Sequence, residues 1–180
     1  MNLVARIIAQ DPVGMKQLHA VRTLGLPDWC IAAGFVRNRV WDHLHGIAPG
    51  RKLADIDVIY FDASDVSKER EAEYEARLAE LEPGAPWQVR NQARMHVRKG
   101  LPPHKSTSDS MCYWLETVTA VGVRLEADGS LTVVAPVGID DLVNLCCRPT
   151  DFGRTRRDEY ESRIAAKGWR ELWPKVRFVE

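Results

Sequence analysis

Leu53-Ala54-Asp55-Ile56-Asp57-Val58-Ile59-Tyr60-Phe61-Asp62 is the run on which the reading of this chain turns. The apolar residues between Ile56 and Phe61 are β-branched or aromatic and lack polar alternation, as in a strand covered on both faces. An internal strand is therefore predicted over 55–61. Side chains alternate along a strand, so Asp55 and Asp57 project to one side at its entrance. Two like charges so placed raise each other's pKa unless a cation or a hydrogen-bond network lies between them. A hard divalent cation, Mg²⁺ or Mn²⁺, suits such a pair, because it binds one or two carboxylates together with substrate phosphates. The competing expectation is a solvated strand start that holds no ligand.

Upstream, Asp28-Trp29-Cys30-Ile31-Ala32-Ala33-Gly34 reads as a short apolar strand. Residues 35–46 follow as a helix, with Val36, Val40 and Leu44 at helical spacing. Gly34 joins the two, which lets a ligand approach the backbone and leaves the helix's first N–H groups to an anion. Arg37 and Asn38 occupy that first turn. A cation there opposes the helix dipole, so a phosphate partner accounts for Arg37 better than helix stability does. The plainer alternative is an exposed arginine on a surface helix.

Strand, glycine, helix and a second strand bearing Asp-x-Asp resemble the core of the DNA polymerase β-like nucleotidyltransferase superfamily. Gly34-x-x-Arg37-Asn38-x-Val40-Trp41-Asp42-x-Leu44-His45-Gly46, Asp55-Ile56-Asp57-Val58, Asn91-Gln92-Ala93-Arg94-Met95-His96 and Glu116-Thr117-x-Thr119-Ala120-Val121-Gly122-Val123-Arg124-Leu125 resemble more closely a family of small bacterial nucleotidyltransferase-like proteins. The resemblance covers most of residues 28–150. It implies transfer of a nucleoside monophosphate from a nucleoside triphosphate to a hydroxyl acceptor that the sequence does not identify. Asp55 and Asp57 would be the catalytic, metal-holding pair, and Gly34, Arg37, Asn38, Asn91, Arg94, Glu116 and Arg124 the substrate-binding set. For Arg94 and Arg124 the residues themselves leave open satisfaction of buried backbone groups and exposure to solvent, respectively.

Two departures from the superfamily pattern stand out. Phe35 follows Gly34 where a serine hydroxyl is usual, and the strand near 86–90 carries Asn91 but no third carboxylate. Asn91 offers an amide without negative charge, which leaves Glu116 to supply the charge from a later segment. These departures favour the alternative of a catalytically weak or inactive nucleotide-binding module with the same fold. A weaker third reading is a structural protein that binds neither metal nor nucleotide.

A chain of 180 residues suits one domain, with a core over about 26–150 and terminal helices packed on it. Lys plus Arg and Asp plus Glu number 25 each, so net charge does not indicate nucleic acid or an anionic membrane as a partner. The apolar run in residues 1–10 is too short to span a membrane and lacks a cleavage pattern, and a cytoplasmic protein is expected. Cys30, Cys112, Cys146 and Cys147 lack metal-ligand spacing and read as free thiols.

Helices are predicted over 2–9 and 12–25, the second with Asp11 as cap before Pro12. A charged helix follows from Ser67 to about Leu81, with Tyr74, Leu78 and Leu81 as its buried face. Beyond a Pro- and Ser-rich loop at 100–108, Ser108 or Asp109 is expected to cap a helix through Trp114. A hairpin turning at Asp128-Gly129, a short helix near 139–145 capped by Asp140 or Asp141, and a last helix over 154–168 complete the chain. Trp169 and Trp173 are expected to cover the core. The fold class is α+β: a nucleotidyltransferase-like mixed sheet of strands near 29–33, 55–61 and 86–90, flanked by helices and extended by the hairpin.

Overall fold

Residues 56–60 form an internal strand because both of its edges find partners. The computed structural model describes residues 2–179. In chain order the elements are α1 (Leu3–Ala9), α2 (Pro12–Arg22), β1 (Cys30–Ala32), α3 (Gly34–Leu44), β2 (Ile56–Tyr60), α4 (Lys68–Leu81) and β3 (Trp87–Asn91). A 3-10 helix (Gln92–Lys99), α5 (Thr107–Met111), β4 (Gly122–Leu125), β5 (Leu131–Val134), α6 (Asp140–Val143) and β6 (Cys146–Cys147) follow. The chain continues through α7 (Asp151–Thr155), α8 (Arg157–Ala166), α9 (Trp169–Leu172) and β7 (Arg177–Phe178). The main sheet has the order β3-β2-β1-β4-β5. β2 pairs antiparallel with β1 and parallel with β3, and the β4–β5 hairpin extends the β1 side. This is the mixed α+β sheet expected.

Alternation gives the sheet two unlike faces. Ile31, Ile56, Val58, Tyr60, Val89 and Val123 point into the main core with residues of α1, α2 and α3. On the other face Cys30, Ala32 and Ile59 make a small cluster under Met111 and Ala120. Asp57 shares this second face, since it lies opposite Ala32 of β1 and two residues from Ile59. The carboxylates thus sit where helices cover the sheet only thinly.

β3 is an edge strand whose outward N–H groups need partners. Glu75 accepts from Val89 N at 2.8 Å and Glu71 from Asn91 N at 2.7 Å. Four residues of helix advance about 6 Å and two residues of strand about 6.6 Å, so one helix face matches the strand's outward donors. This explains why α4 buries Glu71, whereas Leu81, expected on its apolar face, is 48% exposed. Leu78 is buried and Tyr74 packs edge-on against Tyr60, as the pattern implied.

The helix caps at Asp11 and Ser67 form as expected. Three later boundaries differ. α5 is capped by Ser106 and ends at Met111, because Asp28 accepts a hydrogen bond from Thr107 N at 2.6 Å and fixes the helix start. Neither Asp140 nor Asp141 caps α6; Asp141 instead pairs with Arg148 at 3.0 Å and accepts from Thr117 Oγ1. The last charged helix is two, broken at Arg156, whose φ and ψ are −130° and 51°. Trp169 and Trp173 are buried against Trp41 of α3, and Trp173 Nε1 donates to Asp42 at 2.8 Å. Cys30, Cys146 and Cys147 are buried thiols, whereas Cys112 is exposed. Among the described residues, no helix is long and apolar enough to cross a membrane.

Candidate active site

The site begins at the turn from β1 into α3. Ala33 precedes the helix at φ 53° and ψ −120°, a conformation costly for any residue with a Cβ. The unusual backbone therefore falls one residue before Gly34, which is already helical. A Cβ built on Gly34 would meet Arg37 Nη2 at 3.5 Å and Asn38 no closer than 3.8 Å, all ordinary contacts. Packing does not demand glycine here. No side chain caps α3; Val36 N and Arg37 N donate to the Ala33 carbonyl, which leaves the Gly34 and Phe35 N–H groups to a partner. Phe35 is fully buried beneath Arg39, whose Cζ lies 4.0 Å from the ring, so this position looks into the core.

Asp57 pairs across the sheet with Ala32, which puts it beside this turn; Asp55 lies just outside β2, one residue before its start, and its charge acts on Asp57. Burial first, and then the Asp55 charge, push the Asp57 carboxyl up to about 6; Arg163, Arg37 and Arg90 act in the opposite direction. Among the described residues neither carboxylate has a hydrogen bond or ion pair, and neither has a sealed oxygen. Two accessible hard oxygen donors, one of them destabilised as an anion, fit a divalent cation. No three or more His, Cys, Asp or Glu side chains converge as a metal-binding group among the described residues. Any cation here would rest on two carboxylates and on ligand oxygens.

Arg37 is only 7% exposed. Its Cζ lies 4.1 Å from the Trp169 ring and 5.6 Å from that of Trp41, and Nη2 donates to Asn38 Oδ1 at 2.8 Å. Nε is buried without a partner. Desolvation lowers the guanidinium's pKa to about 10, while Glu116 acts the other way, and it remains charged at neutral pH. The charges of Glu116 and Asp55 reach it, but among the described residues no carboxylate forms an ion pair with it, and an anionic ligand would supply that direct contact. Glu116, 1% exposed, does not join the aspartates: Oε1 lies 2.7 Å from Arg163 Nε and Oε2 accepts from Thr119 Oγ1 at 2.7 Å.

Three other residues anticipated as substrate contacts prove to be occupied elsewhere. Asn91 points to the opposite face and is fully buried. Its Oδ1 accepts from Asp62 N and Ala93 N, while Nδ2 donates to the carbonyls of Asp62 and Asp65. Arg94 forms a fork with Glu71. Arg124, two strands from β2, pairs with Glu126 at 2.9 Å. On β3 the position opposite Asp57 is Gln88, and Arg90 lies opposite Ile59. The third strand thus gives this face an amide and a cation in place of a carboxylate.

The sequence reading missed Arg163, Arg90 and the Trp169 stack on Arg37. Arg163 carries no local signal, since it sits in a helix of alternating charges that looks wholly solvated. A cavity of about 650 Å³ lies on the far side of α3, lined by Asn38, Arg39, Asp42, Arg51 and Lys52 among others, and includes neither aspartate. Arg51, in the loop before β2, pairs with Asp42 at 3.3 Å.

A nucleotidyltransferase family profile matches residues 19–178. A solution structure described as revealing a CCA-adding enzyme head domain is 34% identical to this chain, with a TM-score of 0.86, and the match covers 98% of this chain and 94% of that one. A CCA-adding enzyme complexed with CTP (16% identity, TM-score 0.62) matches over 100% of this chain but 44% of its own. The Thermotoga maritima CCA-adding enzyme complexed with tRNA (17%, 0.60) matches over 98% of this chain and 42% of its own. This chain spans less than half of those two enzymes, and their likeness shows the fold alone. No curated protein matches. The chain belongs to the nucleotidyltransferase family.

Proposed function

We propose that the chain, acting as one domain, transfers a nucleoside monophosphate from a nucleoside triphosphate to a hydroxyl acceptor. The observation that carries this reading is the pair of partnerless carboxylates, Asp55 and Asp57, beside an uncapped helix start and a desolvated arginine. Asp55 and Asp57 would hold Mg²⁺ or Mn²⁺, which when bound neutralises phosphate charge as it develops. The Gly34 backbone and the first turn of α3 receive the phosphate tail, and Arg37, stacked on Trp169, supplies its counter-charge. Asn38 fixes the guanidinium in plane through its Oδ1. The acceptor oxygen bonds to the α-phosphorus as the bond from that phosphorus to the bridging oxygen of pyrophosphate breaks, and the acceptor proton is lost to solvent. Structural relatives complexed with CTP and with ATP make these the first donors to try.

A second reading rests on β3: with Gln88 and Arg90 where a third carboxylate would stand, the chain binds nucleotide without transferring it. One experiment separates the two. The protein is incubated with α-labelled CTP or ATP, Mg²⁺ or Mn²⁺ and a cell extract, and labelled product is sought. Product that disappears in Asp57→Asn supports transfer. Metal-dependent nucleotide binding without product supports the second reading, and absence of both overturns each.

A further inference from the structure

The catalytic reading leaves unused a group of cations on the same side of the sheet. Lys99 ends the 3-10 helix, Arg156 lies at the break between α7 and α8, and Arg163 lies within α8. Two separate stretches of chain therefore bring them together. Lys99 Nζ lies 4.9 Å and Arg156 Cζ 5.1 Å from the centre of the Phe152 ring, and Tyr113 packs edge-on against that ring at 5.7 Å. Arg156 is answered by Glu159 at 2.7 Å and Arg163 by Glu116 at 2.7 Å. Lys99 has no carboxylate of its own; Nζ donates only to the Tyr113 carbonyl, at 2.8 Å. Desolvation and then the Arg156 charge hold its pKa below the ordinary lysine value; Glu159 and Glu116 act the other way, and Arg163 adds to the lowering. Like charges gathered on an aromatic ring, with one cation that forms no ion pair among the described residues, fit an anion with several oxygens. Arg163 links the group to the catalytic pair, because its charge is felt both by Lys99 and by Asp57.

We infer that Lys99, Arg156 and the Phe152 ring form an anchor for a phosphate group of the acceptor, so that the acceptor is a phosphorylated molecule. This rests on the transfer reading, with the triphosphate at Gly34 and Arg37 and the acceptor entering past Arg163. A small sugar phosphate and the backbone of a single-stranded RNA carry the same recognisable group, and the net charge of the chain favours neither.

Binding of inorganic phosphate, ribose 5-phosphate, unphosphorylated ribose and a short single-stranded RNA is measured with a non-hydrolysable triphosphate and Mg²⁺ in excess, which occupies the Gly34 and Arg37 side. The same series is run without nucleotide. Lys99 is exposed, so Lys99→Gln should fold, as its melting temperature will show. The expected result is that a phosphate-bearing probe binds, ribose does not, and affinity falls about tenfold or more in Lys99→Gln and Arg156→Gln but is retained in Lys99→Arg. Preference for RNA would identify a polymeric acceptor, and preference for ribose 5-phosphate a small one; either supports the anchor. No binding by any phosphate-bearing probe, or equal binding by wild type and Lys99→Gln, overturns it. If the triphosphate and Mg²⁺ fail to bind wild type, the transfer reading falls, and the series without nucleotide still decides whether the anion site exists.

Discussion

Replacing Asp57 by asparagine should make the metal-free protein more stable. Its carboxyl is pushed from an ordinary 3.8 up to about 6, first by burial and then by Asp55. At 1.36 kcal/mol per unit, holding Asp57 ionised in the folded state costs about 3 kcal/mol. Because the folded value is the higher one, the cost is absent below about pH 4, grows between pH 4 and 6, and is complete above that. Asp57→Asn removes the charge and keeps the shape. In chelator at pH 8 it should gain about 2–3 kcal/mol, which for a chain of this size raises the melting temperature by roughly 5–10 °C. At pH 4 variant and wild type should melt together. Asp55→Asn removes only the second cause and should gain less. Saturating Mg²⁺ should stabilise wild type and leave Asp57→Asn unmoved. The assay is thermal melting of the three proteins at pH 4, 6 and 8, with chelator and with Mg²⁺. A variant no more stable than wild type at pH 8 in chelator, or a gap of the same size at pH 4, would refute the argument that burial and Asp55 outweigh the arginines around Asp57.

Ala33→Gly should stabilise the fold by about 1–2 kcal/mol, because glycine accepts the positive φ that alanine strains to hold; unchanged chemical denaturation would remove strain from the account of this turn. Glu71→Ala leaves Arg94 and Asn91 N without their acceptor and should cost about 3–5 kcal/mol in the same measurement. His104 is buried near the Asp109 carboxylate, with His96 and Lys99 on its other side, and desolvation depresses its pKa below the usual 6.5. Its contribution to stability is therefore full above about 6.5 and is lost as pH falls through the folded value. Amide protection factors in the loop at 100–106, which allow for the slower intrinsic exchange in acid, should fall on acidification, and His104→Gln should blunt that response.

The sheet and the front of the site were legible because they rest on local chemistry. An unalternated β-branched run, a glycine at a strand-to-helix junction and two aspartates one residue apart each dictate their geometry within a few residues. Other features came from contacts over long separations. Asn91 and Arg94 have the polarity of ligand contacts, and only the docking of α4 shows that internal backbone and Glu71 consume their hydrogen bonds. Leu81 matched the helical apolar stripe, yet the face that packs was chosen by Glu71 and Glu75 reaching the donors of β3. Nothing near Arg163 marks it off from the salt-bridged surface around it.

The stacking of Trp169 on Arg37 also bears on how the protein is made. More than a hundred residues separate Asp57 from Trp169, an interval of roughly 5–20 s at ordinary translation rates. Throughout it the β1–α3–β2 segment can be present on the ribosome without the indole that packs against Arg37 or the arginine that moderates Asp57. A nascent chain should therefore acquire nucleotide binding late and abruptly, when α8 and α9 dock.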